Sequence, residues 1–289
     1  MKKEDLLSVY DADYADAYNS RFLLSPFSKP WADFEQETIK KLVNEDTRWL
    51  DIGCGTGYFL SKFPGVQRAG LDINPEMLKR AKEASPDALF FKEGDFRINV
   101  PEWKGAWSLV SCMWTPYNYV ESLKEVEIVV SNMIEWTKHN GSIFLPVIDF
   151  EELRPQINVT YDEFAYEFGG NIIMDSATWT WIEQNGKVHE KLIAPHVCHF
   201  IKLMDPFFDK IEILRYPYHH ASSRKAILAT GRRSAADYDR TAEVVWHKKP
   251  QEENHSIESS LSHKQLLFEL ARRIRSGSFF KAAYRKVFS

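Results

Sequence analysis

The stretch LDIGCGTGYFL, residues 50–60, passes from an apolar strand-like run into helix-forming residues within a few positions. In an open α/β sheet that junction lies beyond the carboxyl end of a strand, where such sheets bind their ligands. Gly53, Gly55 and Gly57 let the chain turn tightly and bring its backbone against a ligand with no Cβ in the way. A dinucleotide fingerprint begun at Gly53 requires glycine at position 58, which is Tyr58, and the Gly-Lys-Ser/Thr ending of a Walker loop is absent. The turn is glycine-rich but does not follow a phosphate pattern.

The flanking carboxylates point the same way. Asp51, just before the glycines, would repel a pyrophosphate and attract an ammonium group. Asp72 closes the next apolar run, QRAGLDI, 21 positions later, where an acidic residue accepts hydrogen bonds from a ribose diol. A third run ends in GDF, with Asp95 placed to accept from an exocyclic amine and Phe96 to flank a purine. A ligand with ammonium, ribose and adenine but no phosphate at this turn describes S-adenosylmethionine.

Outward from the turn, Thr47 to Asp149 alternates short apolar runs with helix-like segments, the rhythm of parallel βαβ units. Strands are predicted at 47–53, 67–73, ALFFKEGD, 106–114 and SIFLPVIDF, with helices at YFLSKF, NPEMLKRAKEA and 122–138. After Phe150 the rhythm changes. Residues 171–195 read as two antiparallel strands around Asn185-Gly186, a strong hairpin signal. VCHFIKLMDPFF follows as a helix, then KIEILRYPY and KAILATGRR as closing strands. Residues 234–262 turn polar and read as a linker, and 263–289 as a basic amphipathic helix.

The combination LDIGCGTG, LDIN and GDF at these spacings resembles the class I S-adenosylmethionine-dependent methyltransferases from about Tyr10 to Arg232. The resemblance implies an α/β fold with a Rossmann-like seven-stranded sheet, carrying here an antiparallel β insertion at about 151–200 and the basic helical tail. It implies that Asp51, Gly53, Gly55 and Gly57 hold the methionine end, that Asp72 holds the ribose with Ile73 beside it, and that Asp95 and Phe96 hold the adenine. Met113 would lie near the sulfonium.

Methyl transfer from a sulfonium is an in-line displacement, so positioning and exclusion of water can supply much of the catalysis. In this family the segment SCMWTPYNYV (111–120) faces the methyl group, and it holds Trp114, Tyr117 and Tyr119 but neither histidine nor carboxylate before Glu121. With YDADY near the start, this layout resembles enzymes that methylate the amino group of nucleotide-linked sugars, and also glycine N-methyltransferase-like folds. Sugar enzymes often carry a histidine where this chain has Tyr119. The candidate catalytic residues are Tyr14, Tyr119 and His199; candidate acceptor contacts are Tyr10, Trp114, Tyr117 and Trp179. Tyr10, Tyr14 and Tyr18 recur at i, i+4 spacing, which predicts one helical face. His196, Cys198 and His199 lack a second ligand pair, so no metal site is expected; His219-His220 reads as a solvated loop.

At 289 residues with 27% charged and 44% hydrophobic residues, the chain reads as an ordinary soluble protein. From Lys264 onward there are seven basic residues against the single acid Glu269, a net +6 that leaves −10 on the rest of a chain whose total is −4. A body of that charge disfavours nucleic acid, while the tail suits an anionic membrane surface. Three cysteines, an N-terminus without an apolar run and the lack of a 20-residue apolar span predict a cytoplasmic protein, peripheral at the inner face of the membrane if the tail binds there. The expected partner is a small molecule, a sugar or sugar nucleotide methylated at nitrogen or oxygen. Alternatives are an amino acid or secondary metabolite, or a non-catalytic role as a binder of S-adenosylmethionine or a scaffold.

Overall fold

A computed structural model describes residues 7, 10–26, 28–149, 176–182, 187–217 and 224–248. The chain divides into the unit Met1–Pro250 and a second unit, Gln251–Ser289, that lies outside the described residues together with the predicted basic helix.

In the first unit the βαβ rhythm becomes β1 (Arg48–Ile52), β2 (Gln67–Asp72), β3 (Phe90–Glu93), β4 (Trp107–Ser111) and β5 (Thr137–Val147). Then come β6 (Ser176–Ile182), β7 (Val188–Pro195), β8 (Phe208–Arg215), β9 (Lys225–Arg232) and β10 (Glu243–Trp246). The helices are α1 (Ala12–Tyr18), α2 (Lys29–Leu42), α3 (Tyr58–Ser61), α4 (Pro75–Ala84), α5 (Leu123–Trp136) and α6 (Val197–Met204). The large sheet runs β10-β8-β9-β5-β4-β1-β2-β3. Its β3-β2-β1-β4-β5 half is parallel, while β9 inserts antiparallel between β5 and β8. Beyond the seven strands expected, an eighth, β10, pairs parallel to β8 inside the stretch read as a linker. Polar composition there concealed a short edge strand, whose outer side chains meet water.

Period-two alternation sorts the strands onto two buried faces. Leu50, Ile52, Val110 and Ile143 pack on one side with Val126, Val130 and Met133 of α5. Trp49, Leu109 and Phe144 pack on the other with Trp31 and Ile39 of α2 and Leu78 of α4. Both faces covered by helices account for the near-continuous apolar runs of the central strands. Asp51 shares the Trp49 face and Ser111 the Leu109 face, so the register that pairs Asp51 with Ser111 brings both polar groups to one spot at the sheet's carboxyl edge.

The antiparallel insertion is described as a separate two-stranded sheet of β6 and β7; Asn185, Gly186 and residues 150–175 lie outside the described residues. Trp179 pairs with Leu192 and Trp181 with His189, so β7 carries one residue more than β6 between these pairs. The surplus is a bulge, with Lys191 in the left-handed region at φ 56°. In a regular strand His189 and Leu192, three apart, would face opposite sides. Here both are buried.

Candidate functional site

The site forms where β1 and β4 part, the switch point of the parallel half. Gly53, Gly55 and Gly57 all take positive φ, at 65°, 52° and 68°. Their surroundings differ. A Cβ on Gly53 would lie 2.6 Å from Pro116 Cβ and closer still to its Cγ, and one on Gly57 would lie 2.9 Å from Ala81 Cβ. A Cβ on Gly55 would meet nothing within 4 Å. The outer glycines are therefore packing requirements, and the middle one presents bare backbone to open space, the form a ligand cradle takes.

Two buried carboxylates bracket the cradle. Asp51 accepts from Ser111 Oγ at 2.7 Å and Met113 N at 3.2 Å, and Ser111 in turn accepts from Trp49 Nε1 at 2.7 Å. Burial pushes the Asp51 carboxyl up to about 7, outweighing those donors. A cationic ligand group beside it would restore the ionised form. Asp72 accepts from Gly55 N at 2.7 Å and from Asn74 N at 2.9 Å, tying the glycine turn to the start of α4; burial raises its pKa as well. Beyond β3, Asp95 is held by Arg97, which also grips Glu125, and Phe96 reaches within 3.5 Å of the Gly53 Cβ position. Leu71, Gly94, Asp95 and Ile98 line a cleft there. A bare glycine, carboxylates placed for an ammonium and a diol, and the Phe96 ring beside the turn fit S-adenosylmethionine.

The N-terminal segment covers this turn. Asn19 Oδ1 accepts from Thr56 Oγ1 at 2.6 Å, and the Tyr10 carbonyl accepts from Asn74 Nδ2 at 2.8 Å. Asn74 also caps α4 by accepting from Met77 N at 2.9 Å. Tyr10 itself precedes α1, because Asp11 caps that helix from Tyr14 N; the three tyrosines nonetheless cluster, Tyr10 meeting Tyr14 at 4.9 Å between ring centroids. Tyr14 is buried against Met77, with the Lys187 ammonium 4.0 Å from its ring centroid.

After β4 the backbone takes two consecutive left-handed residues, Trp114 and Thr115, each at φ 63°. Non-glycine residues hold that conformation only where their surroundings impose it. The constraint is Glu35 of α2, fully buried, whose Oε2 accepts from Trp114 N at 3.2 Å and whose Oε1 accepts from Tyr216 Oη at 2.6 Å. Burial pushes Glu35 up to about 7. Sequence reasoning missed this residue, although it sits in the apolar stripe Trp31-Glu35-Ile39 at helical spacing, the available signal.

The exit turn, Pro116–Tyr119, sorts its tyrosines. Tyr117 faces the core, stacking edge-on to Phe200 and accepting from Ile148 N at 3.3 Å. Tyr119 accepts from Tyr10 Oη at 2.6 Å and lies 3.1 Å from His189 Nδ1. Between them, Asn118 Oδ1 is buried with no hydrogen bond among the described residues. The histidine beside Tyr119 is thus His189, which sequence reasoning had not singled out. His199, the expected candidate, lies on α6 with Nε2 3.4 Å from Glu127 of α5. His196 caps α6 by accepting from Cys198 N, and no metal-binding group occurs among the described residues. Trp179 packs on Ile148 and Ala194 with its indole N–H buried and without a hydrogen bond among the described residues. Trp181's side chain and His219-His220 lie outside the described residues. No helix among the described residues is long and apolar enough to cross a membrane.

Strand order, glycine turn and bracketing carboxylates define the class I S-adenosylmethionine-dependent methyltransferase fold. The match to a known family agrees: residues 50–141 match the family described as a methyltransferase domain, and the fold's class takes S-adenosylmethionine as cofactor. The chain is 26% identical over 141 residues to dTDP-3-amino-3,4,6-trideoxy-alpha-D-glucopyranose N,N-dimethyltransferase of Streptomyces venezuelae, covering 47% of this chain and 57% of that protein. It spans just over half the length of this and another curated relative it matches. Its fold superposes on the crystal structure of Streptomyces venezuelae DesVI with a TM-score of 0.50 at 18% identity, covering 76% of this chain and 99% of that one. It also superposes on a DhpI–SAH complex with a TM-score of 0.50 at 16% identity, over 80% and 98% of the two chains.

Proposed function

We propose that this protein transfers a methyl group from S-adenosylmethionine to a small-molecule acceptor, an amino or hydroxyl group of a sugar or sugar nucleotide. The observation that carries the reading is a polar group, Tyr10, Tyr119 and Asn118, seated at the β4 exit beside a bare-backbone glycine cradle. The Streptomyces venezuelae relative, named for a dTDP-linked amino sugar, supports the acceptor class.

In this reading Asp51 neutralises the methionine ammonium, Asp72 receives the ribose hydroxyls, and Phe96 flanks the adenine with Asp95 at its edge. Ile73 and Met113 line the same path. The bound cofactor supplies an electrophilic methyl on a positively charged sulfur. Tyr10, Tyr14, Trp114 and Trp179 wall the acceptor side and exclude water, and Asn118 accepts from a hydroxyl or amine of the acceptor. We assign Tyr117 to holding the exit turn in place. A cytoplasmic location, and contact of residues 264–289 with an anionic membrane, belong to the same proposal.

The test is to incubate the full chain with S-adenosylmethionine and a dTDP-linked 3-amino sugar and to follow S-adenosylhomocysteine and a product 14 Da heavier per methyl by mass spectrometry, a mass step set by exchanging hydrogen for methyl (about 14 Da). Methylated sugar nucleotide is the expected result. Tight binding of S-adenosylhomocysteine without turnover of amino-sugar, hydroxy-sugar or amino-acid acceptors would point to the non-catalytic binder instead.

A further inference from the structure

We infer that Tyr10, Tyr119 and His189 form a proton path from the acceptor into the inserted hairpin, with His189 Nδ1 as its terminus. The inference rests on the methyl-transfer reading but makes a claim about this chain's own protons that is testable without turnover.

Three distant segments meet here: Tyr10 just before α1, the β4 exit and β7. Tyr10 Oη donates to Tyr119 Oη at 2.6 Å, and Tyr119 Oη lies 3.1 Å from His189 Nδ1. A hydroxyl has one proton to give. With Tyr119 receiving from Tyr10, its own proton can pass to Nδ1, and the path assigns that nitrogen as the unprotonated one of a neutral imidazole carrying its hydrogen on Nε2. Rings of Tyr10 and Tyr119 each stand edge-on to the imidazole, at 6.2 and 6.0 Å between centroids. His189 is wholly buried, so it is held in one orientation and shielded from exchange with bulk water. The register shift of β7, with Lys191 in the left-handed region, lies two residues beyond it. At the other end, the Tyr10 carbonyl is linked through Asn74 to Asp72, which sets the head of the path beside the cofactor cradle.

The balance is complete within these groups. The acceptor lone pair forms the new bond to the methyl carbon as the carbon–sulfur bond breaks and its electron pair passes to sulfur. The acceptor, now carrying one proton too many, gives it to Tyr10 Oη. The Tyr10 proton moves to Tyr119, the Tyr119 proton moves to Nδ1, and the positive charge once on sulfur ends as a histidinium. In this scheme Tyr10 touches the acceptor and is catalytic, while Tyr119 and His189 act through it.

The direct test is the nitrogen-15 spectrum of the imidazoles in the full chain, with His189 assigned by its loss in His189→Asn. The expected result is a neutral Nε2–H tautomer, with the tautomer population changed in Tyr119→Phe. A protonated His189, or the Nδ1–H tautomer, overturns the path. Turnover of the dTDP-linked 3-amino sugar gives the second arm. His189→Asn keeps a hydrogen-bond acceptor near the Nδ1 position but does not take up a proton, so kcat should fall by about 100-fold with KM and S-adenosylhomocysteine affinity held. A kcat within twofold of the parent, in a variant that folds and binds S-adenosylhomocysteine normally, also overturns it. If the parent binds S-adenosylhomocysteine yet turns over no sugar, the acceptor reading falls and the tautomer alone decides the proton path.

Discussion

The glycine turn and the Tyr119 cluster sit at the same edge of one sheet, yet they are built in opposite ways. The turn is local: residues 51–57 with Asp72 form it, and each conformation follows from a residue type at its own position. The Tyr119 cluster is non-local, joining residues 109 and 70 positions apart in the chain. Local sites are set by turn chemistry; assembled ones are set by the register of the strands that carry them.

The sharpest way to break the comparison is within the turn itself. Gly53→Ala adds a left-handed penalty of about 1–2 kcal/mol to a clash with Pro116 worth about 1–3 kcal/mol, so thermal unfolding should shift down by many degrees. Gly55→Ala meets only the left-handed penalty because its surroundings are open. It should stay folded while calorimetry shows binding of S-adenosylmethionine abolished. Equal losses of stability in both variants would refute the division between packing glycine and cradle glycine.

Next in size is the cofactor affinity. Asp72→Ala removes the proposed ribose contact and should weaken S-adenosylmethionine binding about tenfold or more, roughly 1.4 kcal/mol; unchanged affinity would remove Asp72 from the site. For Asp51, raised to about 7, the ammonium of the ligand favours the ionised carboxylate. Affinity should therefore climb as pH rises through 7 and level off above it, and Asp51→Asn should flatten that rise as well as lowering affinity. Calorimetry across pH 6 to 8.5, a range set about the raised pKa, reads both effects.

On the assembled side, Lys191→Val puts a β-branched residue at φ 56°. It should cost about 1–2 kcal/mol and disturb His189, read as a lower melting temperature together with a changed imidazole tautomer. The smallest effect concerns Glu35. Its folded pKa lies above the usual carboxylate value, so its contribution to stability is full below the unfolded pKa and is lost as pH rises through about 7. Glu35→Gln should narrow the difference in melting temperature between pH 5 and pH 8, conditions lying roughly either side of that transition. An unchanged difference would mean that Glu35 ionises freely in place.

Much of the glycine turn was legible in advance. The βαβ rhythm, the three glycines and the carboxylates at strand ends are read from short windows, and the structure puts Asp51, Gly55 and Asp72 at one spot. The β4 exit was legible only in part. Tyr119 stood out as a phenol in the exit turn, but adjacent tyrosines in that turn look alike in sequence, and the fold sends Tyr117 into the core while Tyr119 meets Tyr10. His199 stood out because it follows the insertion, yet it faces Glu127. The polar stretch after Ser234 concealed β10 because an edge strand needs no apolar run.

From its order of residues alone, the chain determined a parallel sheet with a glycine turn after β1 and acidic groups at the ends of β1 and β2, since strand alternation and left-handed turns are properties of neighbouring residues. The tertiary structure decided which groups meet across long separations. Glu35 became the clamp on Trp114 because α2 turns that one polar member of its apolar stripe onto the β4 exit. His189 became the partner of Tyr119 because β7 packs on the Pro116–Tyr119 turn, a meeting of residues 70 positions apart that no short window of sequence contains.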